Sequence, residues 1–140
     1  MSQIKDNRRM GSIMRIAVIV FFVMGAFVSC DRVGEDELEG KWQLGSVEED
    51  GVTQVVDTVW YNFQGSLFQY QLYNAASDSY SSSTGYKDLT DDVLELELLS
   101  SSFISRTDWA DTKRTFYVEK CSSSKLILTS EGKTYTFRKF

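Results

Sequence analysis

Val93-Leu94-Glu95-Leu96-Glu97-Leu98 alternates apolar and acidic residues, and a period of two is the pattern of a strand with one face in a core and the other in water. The alternation recurs along the chain. Trp42 and Leu44 stand among polar neighbours in Gly40–Leu44, and Phe68, Tyr70 and Leu72 share a face opposite Gln69 and Gln71. Phe116 and Val118 alternate within Arg114–Lys120, and Thr58–Phe63 is rich in β-branched and aromatic residues. Turn residues separate these runs at Asp50-Gly51, Gln64-Gly65-Ser66 and Glu131-Gly132-Lys133. Short strands with turns roughly every ten residues indicate an all-β domain. The chain has no proline to interrupt a strand.

Short connections favour pairing of neighbouring strands, and closure removes exposed edges. The expectation is therefore a small up-and-down antiparallel β-barrel of about eight strands; a β-sandwich is the alternative. Within this scheme Asn74–Gly85 reads as a Ser-rich loop, and Ser100–Lys113 as a longer, less regular stretch. No segment reads as a convincing helix.

The N-terminal region has a different character. Lys5, Arg8, Arg9 and Arg15 precede Ile16–Phe27, an uncharged apolar run, and Val28-Ser29-Cys30 ends it with a small residue before a cysteine. A basic region, a short apolar region and a small-residue site make a secretory signal. A retained membrane span needs ~20 apolar residues, more than lie between Arg15 and Cys30. The cysteine directly after the site makes it resemble a bacterial lipoprotein signal. The resemblance implies that Cys30 is the first mature residue, bears several acyl chains and holds the protein firmly to the membrane. It places the protein in the bacterial cell envelope, at the outer membrane. The expected divisions are a signal peptide over 1–29, a lipidated cysteine and acidic tether over 30–39, and a barrel domain over 40–140. The acids from Glu35 to Glu39 read either as a solvated linker or, by resemblance to some Gram-negative lineages, as a surface-export signal.

Of the 15 basic and 20 acidic residues, four basic ones and Asp6 lie in residues 1–29, so the remainder carries 11 against 19, a net charge of −8. Such a domain repels phosphate backbones, which argues against nucleic-acid binding. The chain contains no histidine and two cysteines, Cys30 and Cys121. A Ser-His-Asp triad, a Cys-His pair and a Cys/His zinc site cannot be built from this set. Cys121 reads as a structural thiol at a strand end. No dinucleotide or phosphate-binding glycine motif is present. The expectation is a protein without catalytic activity, metal or cofactor.

Leu38-Glu39-Gly40-Lys41-Trp42-Gln43-Leu44 resembles the opening strand of lipocalin-like domains, with Gly40-Lys41-Trp42 as the Gly-x-Trp pattern. Gly132–Phe140 resembles their closing strand, and Tyr61-Asn62-Phe63 and Leu126-Ile127-Leu128 fall where such domains have strands. Together these resemble the small lipocalin-like domains of Gram-negative lipoproteins whose function is unassigned. The resemblance implies that Gly40 and Trp42 form a structural signature and that a basic residue of the last strand covers Trp42. Arg138 is the expected match, with Lys139 as the alternative.

The alternation points Val59, Tyr61, Phe63, Phe68, Tyr70, Leu72, Leu94, Leu96, Leu98, Phe116, Val118, Leu126, Leu128, Tyr135 and Phe137 inward. Two readings follow. Either these bulky side chains fill the barrel, or some of them (Tyr61, Phe63, Phe68, Tyr70, Leu96, Phe116, Tyr135) line a pocket for a small apolar ligand near the open end. The first reading fits an envelope accessory module that binds a protein partner. Its candidate surfaces are the Ser77–Gly85 segment with Tyr80 and Tyr86, and the loop carrying Trp109. The second fits a ligand-binding module.

Overall fold

The computed structural model describes residues 33–140, so the signal segment and Cys30 lie outside the described residues. Nine strands follow a single helical turn, α1 (Glu35–Leu38). They are β1 (Gly40–Glu49), β2 (Val52–Val55), β3 (Val59–Gln64), β4 (Leu67–Asn74), β5 (Ser79–Thr90), β6 (Val93–Leu98), β7 (Lys113–Cys121), β8 (Lys125–Ser130) and β9 (Lys133–Lys139). Each strand from β3 to β9 pairs antiparallel with its sequence neighbour, and β1 pairs with both β3 and β9. Eight strands thereby close into an up-and-down barrel, and β2 is the ninth, attached outside the ring.

The ring admits β2 because β1 is long and bent. Residues Gly40–Gln43 of β1 pair with β3, whereas Ser46–Glu49 pair with β2 along the same edge. The register against β9 shifts between Leu44 and Ser46, a bulge centred on Gly45. The β1–β2 turn is Asp50-Gly51, both with positive φ (52° and 77°), as a tight two-residue hairpin requires. Glu131-Gly132 repeats that geometry between β8 and β9, with φ of 53° and 77°.

The alternation read from the sequence matches the burial. Of the fifteen residues expected inside, all are buried except Leu72, which is half-buried. In β6, Leu94, Leu96 and Leu98 are buried while Glu95 is exposed.

Three segments differ from expectation. The Ser-rich stretch is not a loop beyond residue 78: it forms most of β5, with Ser83, Gly85 and Lys87 on the inward face. Gly85 is there because β6 runs close by, so that an added Cβ would lie 1.6 Å from the Glu97 carbonyl oxygen. The irregular stretch contains a 3-10 helix, Ser101–Arg106, and its Phe103 and Trp109 are buried. The Trp109 loop is therefore an internal packing element and not an exposed contact surface. The acidic segment before the barrel is also more than a linker, since α1 ends on Leu38, which is fully buried.

The closed end of the barrel is built around Trp42, which is fully buried and whose Nε1–H donates to the Leu38 carbonyl at 2.8 Å. Lys139, not Arg138, covers it, with Nζ 4.4 Å from the ring centroid. Strand alternation explains the correction. Phe137 points inward, so Arg138 points outward and Lys139 returns to the inner face directly opposite Trp42 in the β1–β9 ladder. Arg138 instead donates from Nε to Gln43 Oε1 at 2.8 Å, and Gln43 Nε2 donates to the Asp57 carbonyl at 2.8 Å. Gly40 completes the signature: its φ is +110°, and a Cβ there would meet Lys139 Nζ at 2.6 Å.

Candidate functional site

Below the mouth, the interior is filled by aromatic rings. Tyr61 is the hub, with its centroid 4.9 Å from Phe137, 5.1 Å from both Phe68 and Tyr70, and 6.2 Å from Phe116. Phe63 stacks on Phe68 at 5.5 Å, and Phe116 meets Tyr135 edge-on at 5.7 Å. Of the seven residues expected to line a pocket, Tyr70 borders the cavity at the open end. Tyr61, Phe63, Phe68, Leu96, Phe116 and Tyr135 belong to the packed core. Their size is the reason: an eight-stranded barrel has room for side chains or for one small ligand, and these side chains take most of it.

The open end is not filled. A cavity of about 480 Å³ lies between the β1–β2 hairpin, the upper parts of β3 and β4, and residues 106–108. Leu44, Val47, Val56, Val59, Tyr70 and Leu72 form its apolar part. Glu49, Asp50, Gln54, Arg106, Asp108 and Lys133 form its polar rim. Lys133 Nζ stands 3.9 Å from Glu49 Oε2, so one cation and one anion of the rim face each other.

Asp108 joins this cavity to a polar cluster within the barrel. Tyr135 donates its hydroxyl proton to Asp108 Oδ2 at 2.5 Å, and Arg114 Nη2 donates to the Tyr135 oxygen at 2.7 Å. Arg114 Nε donates to Ser130 Oγ at 3.2 Å, and Nη2 lies 3.5 Å from Glu131 Oε2. The guanidinium also lies 4.9 Å above Phe116 and 5.1 Å above Tyr135. Nη1 is 3.3 Å from Asp108 Oδ2 but out of hydrogen-bond alignment, so one donor of a side chain only 3% exposed is unfilled. Burial opposes the charge on Arg114, but Tyr135, Asp108 and Tyr61 outweigh it and raise its pKa, keeping it protonated.

Arg106, Asp108, Arg114 and Lys133 were not singled out by sequence reasoning. Arg114 left a signal: stepping back two residues from Phe116 in the β7 alternation puts it on the inner face. Lys133 left the same signal, two residues before Tyr135 at the start of β9, whereas Arg106 at the end of the 3-10 helix and Asp108 in the loop after it lie where no strand periodicity reports direction. Cys121 is half-buried, and burial and Glu37 raise its thiol pKa against the opposing effect of Lys139, which fits a structural role. Among the described residues no group of three or more carboxylates and thiols comes together as a metal site.

The core phenols respond to pH in one direction. Burial, the largest cause in each case, raises the pKa of Tyr61, Tyr70 and Tyr135 above the ordinary 10.0, and Asp108 adds to it. Each phenol is thus held neutral by the fold. The associated stability is fully present below pH 10 and is lost as pH rises beyond it. Absorbance at 295 nm should show these three tyrosines ionising only together with loss of the β-sheet circular dichroism signal. Titration of all seven tyrosines near pH 10 in folded protein would contradict the packing.

The family described as a lipocalin-like domain matches residues 25–140. The chain belongs to that family. A lipocalin-like protein from Bacteroides uniformis has a similar structure, with a TM-score of 0.68 and 33% identity over 74% of this chain and 99% of that one. An uncharacterized protein from Bacteroides eggerthii is similar at a TM-score of 0.66, with 35% identity over 73% of this chain and 98% of that one. No curated protein matches the chain. The lipocalin-like barrel read from Gly40-Lys41-Trp42 and the closing strand is therefore this chain's fold. The family does not specify what the mouth holds.

Proposed function

We propose that this lipocalin-like protein is a lipid-anchored envelope lipoprotein, attached through Cys30, whose barrel mouth binds a small amphipathic molecule without transforming it. The observation that carries the binding reading is the mouth cavity, about 480 Å³ with an apolar side and a charged rim, above a core that is already full. A cavity of that size and lining is typical of small-molecule sites. Leu44, Val56, Val59 and Leu72 would take an apolar body, and Arg106, Lys133 and Glu49 would orient a polar end. The anchoring reading is supported by the Ile16–Phe27 apolar run and the Val28-Ser29-Cys30 junction. The sequence has no histidine to serve as a general base near neutral pH, which supports binding over catalysis.

The accessory-protein reading draws on a different feature. Tyr80 and Phe140 are 60% and 69% exposed and pack on Trp60 outside the barrel, at 5.7 and 6.0 Å. One experiment separates the two. Leu72→Trp should fill the mouth with an indole and leave the outer wall unchanged. Binding of a fluorescent fatty-acid probe to the full chain should weaken at least tenfold in that variant. Equal binding by both proteins, or none by either, would sink the mouth reading in favour of the outer surface. In parallel, Cys30→Ala should block incorporation of labelled fatty acid; incorporation that persists would refute the anchor.

A further inference from the structure

The segment between β6 and β7 is attached to the barrel in an unusual way. Among the described residues, the backbone hydrogen bonds of residues 100–111 outside regular elements stay within the segment: Phe103 to Ser100, and Thr107 to Ile104. Its side-chain bonds through Ser105 and Thr107 are also internal. What holds it to the barrel is a few inserted side chains. Phe103 meets Tyr70 edge-on at 5.8 Å, Trp109 is buried among the core rings, and Asp108, its side chain 37% exposed, reaches Tyr135 and Arg114 from the rim. With no ladder hydrogen bonds to the barrel, the segment is held by the burial of Phe103 and Trp109 and the contacts of Asp108, and these are what an incoming ligand has to replace.

Asp108 and Trp109 each occupy a formed site. The Asp108 carboxylate sits against the Tyr135 hydroxyl and Arg114. The Trp109 indole lies parallel to Phe68 (3° between planes, centroids 6.0 Å apart) and edge-on to Tyr61 and Tyr70 at 6.5 and 5.9 Å. Its Nε1–H donates to the Tyr61 hydroxyl oxygen at 3.1 Å. One subsite holds a carboxylate, and its neighbour holds a flat ring and accepts an N–H. That is how a binding pocket would grip a free aromatic acid.

We propose that Asp108 and Trp109 are a tethered occupant of a site for a planar aromatic carboxylate, and that such a ligand binds by displacing this segment. The inference rests on the mouth reading, because the cavity beside Asp108 is the way in. Two features favour exchange over permanent packing. Arg114 Nη1 is not aligned with Asp108, so a free carboxylate with full orientational freedom can make a bidentate contact that the tethered one does not. Once Asp108 leaves, the acid remaining on Arg114 is Glu131, 3.5 Å away on a side chain 62% exposed, a weak competitor in water. The partners of Trp109 (Tyr61, Phe68, Tyr70 and Phe116) lie on β3, β4 and β7 and stay in place when the segment moves.

The test uses the full chain with indole-3-propionate, and with indole as the probe lacking a carboxylate. Indole-3-propionate should bind at least tenfold more tightly than indole. Asp108→Asn, which weakens the internal competitor, should tighten its binding at least fivefold. Hydrogen exchange of residues 100–112 should speed up when it binds to the wild-type chain, a readout that needs no variant to fold. Binding with exchange in 100–112 unchanged would overturn displacement while leaving mouth binding intact. No binding of indole-3-propionate by wild type or by Asp108→Asn would overturn the aromatic-acid site, while the fatty-acid probe and Leu72→Trp judge the mouth separately.

Discussion

Leu128→Asp should leave no folded barrel at room temperature, whereas Glu95→Gln should shift stability by no more than ~0.5 kcal/mol. Leu128 is fully buried at the centre of β8, opposite Val118 on one side and Tyr135 on the other. Removing the leucine costs ~2–5 kcal/mol, and an unpaired carboxylate in its place adds several more. Their sum reaches the whole stability of a typical domain, ~5–15 kcal/mol. Leu96→Asp is the instructive contrast. Leu96 is as deeply buried, but its cross-strand neighbours are Lys87 and Arg114, both on the inner face. An aspartate there gains two cations at cross-strand distance, so the variant should be destabilised but should retain a cooperative unfolding transition. Thermal melts by circular dichroism compare the three. A folded Leu128→Asp variant, or a Leu96→Asp variant more damaged than it, would mean that the inner face is solvated.

That contrast was only half visible in the sequence. Leu94, Leu96 and Leu98 announce their face because acids separate them. Lys87 does not, since the inward run Ser83, Gly85 and Lys87 has no apolar side chain to mark its face, and Leu89 alone follows it. Serine and glycine have poor strand propensity, so β5 looks like a loop. What makes it a strand is tertiary: β4 and β6 supply ladders on both sides, and Gly85 lets β6 come close. The 100–112 segment escaped for a related reason. Its inward residues, Phe103 and Trp109, are fixed by contacts with Tyr61, Phe68 and Tyr70 far away in the chain, and no local period encodes them. The mouth cavity was unreadable because it arises where β2 pairs with the far half of β1 outside the ring, beyond the bulge at Gly45. The hairpin turns and the Trp42 end were legible because each rests on residues adjacent in sequence or on a large ring that has to be buried.

Trp42→Ala should cost ~3–5 kcal/mol, seen as a lower urea midpoint with an unchanged slope. The indole is fully buried, and its removal leaves a cavity at the closed end as well as a Leu38 carbonyl without its donor. The consequence should extend to α1, because Leu38 packs in the same core while Glu39 accepts from the Gly65 N–H of the β3–β4 turn at 2.6 Å. The acidic segment would then loosen, with faster hydrogen exchange from Glu35 to Glu39. A double-mutant cycle identifies the basic partner. Lys139→Met should couple to Trp42→Phe by ~0.5–1 kcal/mol, the size of a cation–π contact at a partly exposed site. Arg138→Met should not couple to it, since that guanidinium is bound to Gln43 on the outer face. Coupling through Arg138 in place of Lys139 would require β9 to be shifted by one residue against β1, which would turn Tyr135 and Phe137 out of the core. The same measurement therefore checks both the signature pair and the seam at which the barrel closes.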